Sequence, residues 1–129
     1  MSIAGIGIDT VCIERFKKTV DRYGDLFLKK VFTNKEQEYA GTKKSFFMHM
    51  AGKFAAKEAV KKALPEGARV GLTWPDIEIL NDKLGKPYAV LHGSAEQLMK
   101  EFDLKEVLVS ISHTEDLATS NAVAVNNGS

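Results

Sequence analysis

Two carboxylates, forty-nine positions apart, stand among residues suited to a core. Asp9 follows the small, apolar run Ile3-Ala4-Gly5-Ile6-Gly7-Ile8, and Glu58 lies within the helical stretch Gly52-Lys53-Phe54-Ala55-Ala56-Lys57-Glu58-Ala59. Helical steps place Glu58 on one face with Ala51, Phe54, Ala55 and Lys62, the side expected to pack inward, and leave Lys53, Lys57 and Lys61 on a more exposed stripe. An inward carboxylate is costly unless something cationic meets it. One solution is a hard divalent cation shared with Asp9, with the lysines serving phosphates that such a cation carries. The other is an i,i+4 pair of Glu58 with Lys62, with Asp9 capping a helix. The residues alone leave both open.

Three further segments have types that could do chemistry. His113 sits in Ser110-Ile111-Ser112-His113-Thr114-Glu115-Asp116, after a β-rich run. Ser112 and Glu115 match the S-x-x-E capping box, which predicts a helical turn whose positive end suits a neutral histidine and a nearby anion. A histidine that merely bonds backbone at a strand end is the plainer reading. Gly85-Lys86-Pro87 has the composition of a tight turn with an outward lysine. His49 and His92 receive no role: one reads as a surface or packing residue of a helix, the other as a strand end.

These groups need elements to hold them. Ile3 to Ile8 reads as a short buried strand whose glycines admit close approach. Helical spacing over Ile13 to Tyr23 stops at Gly24, and short helices follow over Leu26–Val31 and Lys35–Ala40, the last with Thr33 or Asn34 as cap. The longest helix runs from about Ser45 to Leu64 and ends at Pro65, and a connection covers 65–74. Asp76–Leu80 and Tyr88–Leu91 form a hairpin across the turn 81–87. Gly93–Phe102 is an amphipathic helix, and Val107–Ser112 and Ala118–Val125 form a second hairpin. Helices followed by hairpins predict an α+β fold in which a small antiparallel sheet packs with one long helix and several short ones. That sheet needs the long helix, or a neighbouring subunit, to cover it.

With 129 residues the chain is expected to form a single domain over 1–125 with a short tail at 126–129. A net charge of +1 argues against a nucleic-acid protein reliant on bulk positive potential. Cys12 is the sole cysteine, so no intrachain disulfide and no cysteine-based zinc site can form. No apolar run approaches a membrane span and no signal-peptide pattern opens the sequence, so a cytoplasmic protein is expected.

The order and spacing of these segments resemble the holo-acyl-carrier-protein synthases, the small bacterial phosphopantetheinyl transferases. The matching blocks are Gly5-Ile6-Gly7-Ile8-Asp9 with Ile13 and Arg15; Phe32-Thr33 with Glu36 and Tyr39; Phe54-Ala55-Ala56-Lys57-Glu58-Ala59 with Lys62-Ala63; Asp76-Ile77-Glu78-Ile79 through Gly85-Lys86-Pro87; and Val109-Ser110-Ile111-Ser112-His113-Thr114 with Ala118. They cover nearly the whole chain. Lys53 stands where the family often has arginine, which keeps the charge but loses the bidentate fork. The first helix carries fewer arginines than some relatives.

The resemblance implies a phosphopantetheinyl transferase fold and transfer of the 4′-phosphopantetheine arm of coenzyme A to a serine of apo acyl carrier protein. The products would be holo carrier protein and adenosine 3′,5′-bisphosphate, in support of fatty acid biosynthesis. It also implies Mg²⁺ on Asp9 and Glu58, with Lys62 and His113 in the catalytic set. Lys53, Lys57, Lys62, Gly85, Lys86, Pro87, His113 and Thr114 would face coenzyme A. Arg15, Lys17, Lys18 and Arg22 would meet the acidic carrier protein, and the assembly would be a homotrimer with sites between subunits. A metal-dependent phosphohydrolase and a non-catalytic trimeric binding module are the competing readings.

Overall fold

The computed structural model describes residues 2–41, 45–65 and 71–128. Half of the expected connection over 65–74, residues 66–70, lies outside the described residues. The chain runs β1 (Ile3–Cys12), α1 (Ile13–Tyr23), α2 (Asp25–Val31), α3 (Asn34–Gly41), α4 (Phe46–Ala63), a 3-10 turn (Trp74–Asp76), β2 (Ile77–Asn81), β3 (Pro87–Leu91), α5 (Gly93–Glu101), β4 (Leu104–His113) and β5 (Leu117–Asn126). The α+β expectation holds, with two antiparallel sheets: β1-β5-β4 and the hairpin β2-β3.

Helix α4 lies at the centre. Its alanines at 51, 55, 56, 59 and 63 are buried, as are Ala118, Ala122 and Ala124 of β5. Small residues on both surfaces let helix and sheet approach closely. Two glycines of β1 carry this furthest: a Cβ on Gly5 would lie 2.1 Å from the carbonyl oxygen of Ala63, and one on Gly7 would lie 2.1 Å from that of Ala59. The obstacle in both cases is backbone, which cannot step aside. Along α4 one core gathers Val60, Leu64, Ile77, Ile79, Leu104 and Val107, and the other gathers Phe16, Val20, Val31, Phe32 and Met50.

Three local expectations change. β1 does not stop at Ile8: it continues to Cys12 and pairs with β5, so Asp9 stands within a strand opposite Ser120 and caps no helix. No helical turn follows Ser112 either. β4 pairs with β5 as far as His113 opposite Ala118, and the turn between them closes with Thr114 N donating to the Leu117 carbonyl at 2.8 Å. The hydroxyl of Thr114 then accepts from the amides of Asp116 and Leu117. At the other end Asn126, read from sequence as tail, closes β5, and its amide donates to the Ser2 carbonyl at 3.0 Å.

Candidate active site

Alternation along β1 aims Gly5, Gly7, Asp9 and Val11 toward α4, and Ile6, Ile8 and Thr10 away from it. Because Gly5 rests on Ala63 and Gly7 on Ala59, the next residue on that face, Asp9, comes level with the α4 turn that carries Glu58. Both carboxylates line one cavity of about 340 Å³, open to solvent, with Thr10, Cys12, Arg15, Thr19 and the rings of Phe16, Phe27 and Phe54. Lys62 does not line this cavity but reaches Asp9 beside it: its ammonium donates to the Ile8 carbonyl at 2.9 Å and pairs with Asp9 Oδ1 at 3.2 Å. The i,i+4 alternative is therefore not what the fold adopts, since Lys62 reaches across to the strand. Glu58 is left half-buried without an ion-pair or hydrogen-bond partner among the described residues.

A second, smaller cavity of about 120 Å³ collects Tyr39, His49, Lys53, Asn81, Gly85, Pro87, Ile111 and His113. The fold thus joins four of the residues singled out from sequence, Lys53, Gly85, Pro87 and His113. Gly85 reaches it through a turn that needs a positive φ of 88°, organised by Asp82 Oδ1 accepting from the amides of Leu84 and Lys86 at 2.9 Å each. The His113 ring, on the last residue of β4, has a buried Nε2 with no hydrogen-bond partner among the described residues. Lys86 and Thr114 do not line this cavity. Lys86 is exposed along a separate groove between β3 and β4, and Thr114 serves the turn.

The lysine stripe is corrected. Lys53 and Lys57 are buried, not solvated, and only Lys61 of the three is partly exposed, over the Trp74 ring. Lys57 pairs with Glu36 at 2.9 Å and donates to the carbonyls of Ile77 at 2.5 Å and Trp74 at 3.2 Å. Lys53 donates to Ile79 O and Asn81 Oδ1, both at 2.6 Å, beside the Tyr39 ring. Together they tie α4 to β2 through carbonyls that the β2-β3 ladder leaves open. Burial pushes the Lys53 ammonium down to about 8, against the opposing attraction of Glu36. Burial also lowers Lys57, again against Glu36. An ammonium with this many protein acceptors is not free to serve a phosphate.

Sequence reasoning gave no role to the acidic half of this network. Glu36 accepts from Thr33 N at 2.8 Å and from Ile79 N at 2.7 Å as well as from Lys57. Glu78 accepts from the Thr33 hydroxyl at 2.5 Å and meets His92 Nε2 at 2.9 Å. Burial by itself would raise Glu78, but the Thr33 and His92 hydrogen bonds, with the charges of His92 and Lys35, bring it below the usual carboxylate range. The signal that could have found Glu36 is the Thr33-x-x-Glu36 capping box, which forms here in both directions. On α1, Arg15, Lys17, Lys18 and Arg22 are exposed, and Arg15 also borders the carboxylate cavity.

Comparisons with known proteins identify the family. Residues 5–122 match the 4′-phosphopantetheinyl transferase superfamily. A holo-[acyl-carrier-protein] synthase of Protochlamydia amoebophila is 47% identical over 119 residues, spanning 92% of this chain and 95% of its own length. The Plasmodium yoelii acyl carrier protein synthase with ADP bound superposes with a TM-score of 0.85 at 34% identity, over 98% of each chain. The Helicobacter pylori holo-[acyl-carrier-protein] synthase in complex with coenzyme A superposes at 0.79 with 33% identity, over 92% of this chain and 98% of that one. The chain belongs to the 4′-phosphopantetheinyl transferase superfamily, among its holo-[acyl-carrier-protein] synthases.

Proposed function

We propose that this chain transfers the 4′-phosphopantetheine arm of coenzyme A to a serine hydroxyl of apo acyl carrier protein, yielding holo carrier protein and adenosine 3′,5′-bisphosphate for fatty acid biosynthesis. A single domain over 1–125 would do this. The observation that carries the reading is the meeting of Asp9 and Glu58 in one open cavity with Lys62 at its side. In the reaction the serine hydroxyl gives up its proton to solvent water, its oxygen forms a bond to the phosphorus of the pantetheine-side phosphate, the pyrophosphate P–O bond breaks, and the nucleotide leaves with the electron pair.

Mg²⁺ fits this donor set. It takes one or two carboxylates and completes its shell with water and phosphate oxygens. The described residues offer two hard carboxylates here. Asp9 and Glu58 would hold the ion, whose charge stabilises the phosphate oxygens during transfer. Lys62, already between Ile8 O and Asp9, presents a second cation at the same edge. Of the lysines proposed for phosphate, Lys62 is the exposed one and takes that role. His113, Gly85 and Pro87 border the small cavity suited to the nucleotide end, with Lys53 as its fixed wall. Lys86 and Thr114 would meet coenzyme A only outside that cavity.

The basic residues Arg15, Lys17, Lys18 and Arg22 of α1 form the docking face for an acidic carrier protein, and Arg15 connects that face to the carboxylates. A cytoplasmic homotrimer with sites between subunits completes the reading. It is supported by the sheet face turned away from α4, where Ile6 is 71% and Leu108 52% exposed beside Ile8 and Val123. No helix among the described residues is long and apolar enough to cross a membrane.

The test is mass spectrometry of apo acyl carrier protein incubated with coenzyme A, Mg²⁺ and the protein. A gain of the phosphopantetheine mass is expected. Cleavage of coenzyme A without that gain would make the protein a phosphohydrolase, and no change in either reactant would make it a binding module.

A further inference from the structure

Gly52 sits in the interior of α4, between Ala51 and Lys53, where its backbone is helical and glycine weakens the element relative to alanine. Nothing in the helix requires it. The requirement comes from β4: a Cβ at position 52 would lie 2.6 Å from His113 Nε2, 3.4 Å from its Cε1 and 3.0 Å from Ile111 Cγ2. The missing side chain is the space in which the imidazole lies. Its Nε2 is buried and unpartnered among the described residues, and His113 itself lines the cavity shared by Lys53, Asn81, Gly85 and Pro87. A buried ring nitrogen left without a bond is costly, so the position makes sense when a ligand supplies the partner.

We infer that Gly52 is the positioning residue for His113. It holds the imidazole against α4 so that Nε2 faces a hydrogen-bonding atom of the nucleotide end of coenzyme A, an inference that rests on the function proposed above. What gives way on substitution decides the test. At Gly5 and Gly7 the obstacle is a backbone carbonyl at 2.1 Å, so alanine there must break the β1–α4 contact. At Gly52 it is the tip of a side chain with two free torsions, and Ile111 needs to yield only a few tenths of an ångström. Alanine at 52 therefore keeps the fold and expels the ring.

Four proteins test this: wild type, Gly52→Ala, His113→Ala and the double variant. Each is titrated with coenzyme A by calorimetry, and the His113 ring proton signals, identified by their loss in His113→Ala, are followed by NMR. Each single variant should weaken coenzyme A binding by a similar factor of roughly 10–100, the loss of a hydrogen bond to a charged ligand. The double variant should be no more than about twofold weaker than either, because both remove the same contact. Gly52→Ala should shift the His113 ring signals while its thermal midpoint stays within a few degrees of wild type, and Gly7→Ala, a fifth protein made as the backbone-clash control, should not fold. Additive losses, unchanged ring signals or unchanged binding in Gly52→Ala would overturn the inference. So would a Gly52→Ala chain that fails to fold, since backbone rather than ring would then have yielded. A wild-type protein that binds no coenzyme A would instead refute the proposed function, and the ring signals would still report the Gly52–His113 contact.

Discussion

Lys57 and Glu36 form an ion pair of 2.9 Å with both side chains fully buried, and that pair fastens the central helix α4 to α3 while each partner also bonds the backbone of β2. The ammonium also satisfies two backbone carbonyls and the carboxylate two backbone amides, so neither charge has an idle side. Breaking such a pair by removing one partner leaves the other charge stranded, at about 3–5 kcal/mol. Lys57→Met should accordingly lower the thermal midpoint by roughly 10 °C, taking a few degrees per kcal/mol for a domain of this size. If Lys57→Met melts like wild type and loses only affinity for coenzyme A, Lys57 is a phosphate ligand after all.

Glu58 predicts the opposite pattern. Having no partner among the described residues, it has no contact to lose, and Glu58→Ala should fold with an unchanged midpoint. Transfer should drop by about 10²–10³, the scale of removing a group that stabilises charge in a transition state. Asp9→Ala should cost a similar factor, with Lys62 released from its 3.2 Å contact. Turnover near wild type for Glu58→Ala at low Mg²⁺ would rule out the shared-metal assignment.

The contrast between Lys57 and Glu58 marks what the sequence could tell. Every helix and strand was legible in its residues, because caps, glycine stops and β-rich runs are local signals. The direction of the α4 lysines was not. A helix apolar on most faces is packed on most faces, so its periodicity does not say which charged stripe is inside. Lys53 and Lys57 point inward because β2 carbonyls and Glu36 wait there, partners brought by distant segments. The S-x-x-E pattern at Ser112 misled for a related reason: a strand ladder that continues to His113 outcompetes a local cap. For Asp9 and Glu58 the residues alone left a shared cation and an i,i+4 pair with Lys62 both open, and only the family resemblance implied that the two carboxylates act together.

Lys53 gives an alkaline signature. Burial lowers its folded pKa to about 8, whereas the unfolded chain keeps the ordinary value near 10.5. Between those limits the unfolded state binds more protons, so the cost of the buried charge is complete below pH 8 and is relieved as pH rises toward 10.5. Urea midpoints measured from pH 7.5 to 10 should therefore rise more, or fall less, in wild type than in Lys53→Met. Parallel curves would mean that Lys53 does not titrate in this window.

Glu78 gives the acid counterpart. Its folded pKa lies below the ordinary 4.5, so its stabilisation is complete above that value and disappears as pH falls through the folded pKa. Glu78→Gln has no carboxylate to titrate, and its thermal midpoint should decline less steeply than wild type below about pH 4.5. Identical slopes would show that the bonds from Thr33 and His92 do not depend on the charge.

The outer face of the sheet supplies the last expectation. Ile6 pairs in register with Val123, and Val123 with Leu108, which makes a continuous apolar row across three strands. Ile8 extends it on β1, and a shallow cavity of about 510 Å³ runs along Ile6, Ile8 and Val123. Lys62, the cation beside Asp9, borders that same cavity, so a subunit seated on the row would also wall one edge of the reactive carboxylates. Assembly and activity should then fail together. Ile6→Glu combined with Leu108→Glu places charges at two exposed positions outside both cores, so the fold should survive, and light scattering should report a particle of 14.2 kDa rather than three times that mass. Transfer should fall in step with the loss of assembly and recover at protein concentrations that restore it. Full activity from a monomeric variant would show that the carboxylate site is complete within one chain and that the apolar row serves some other contact.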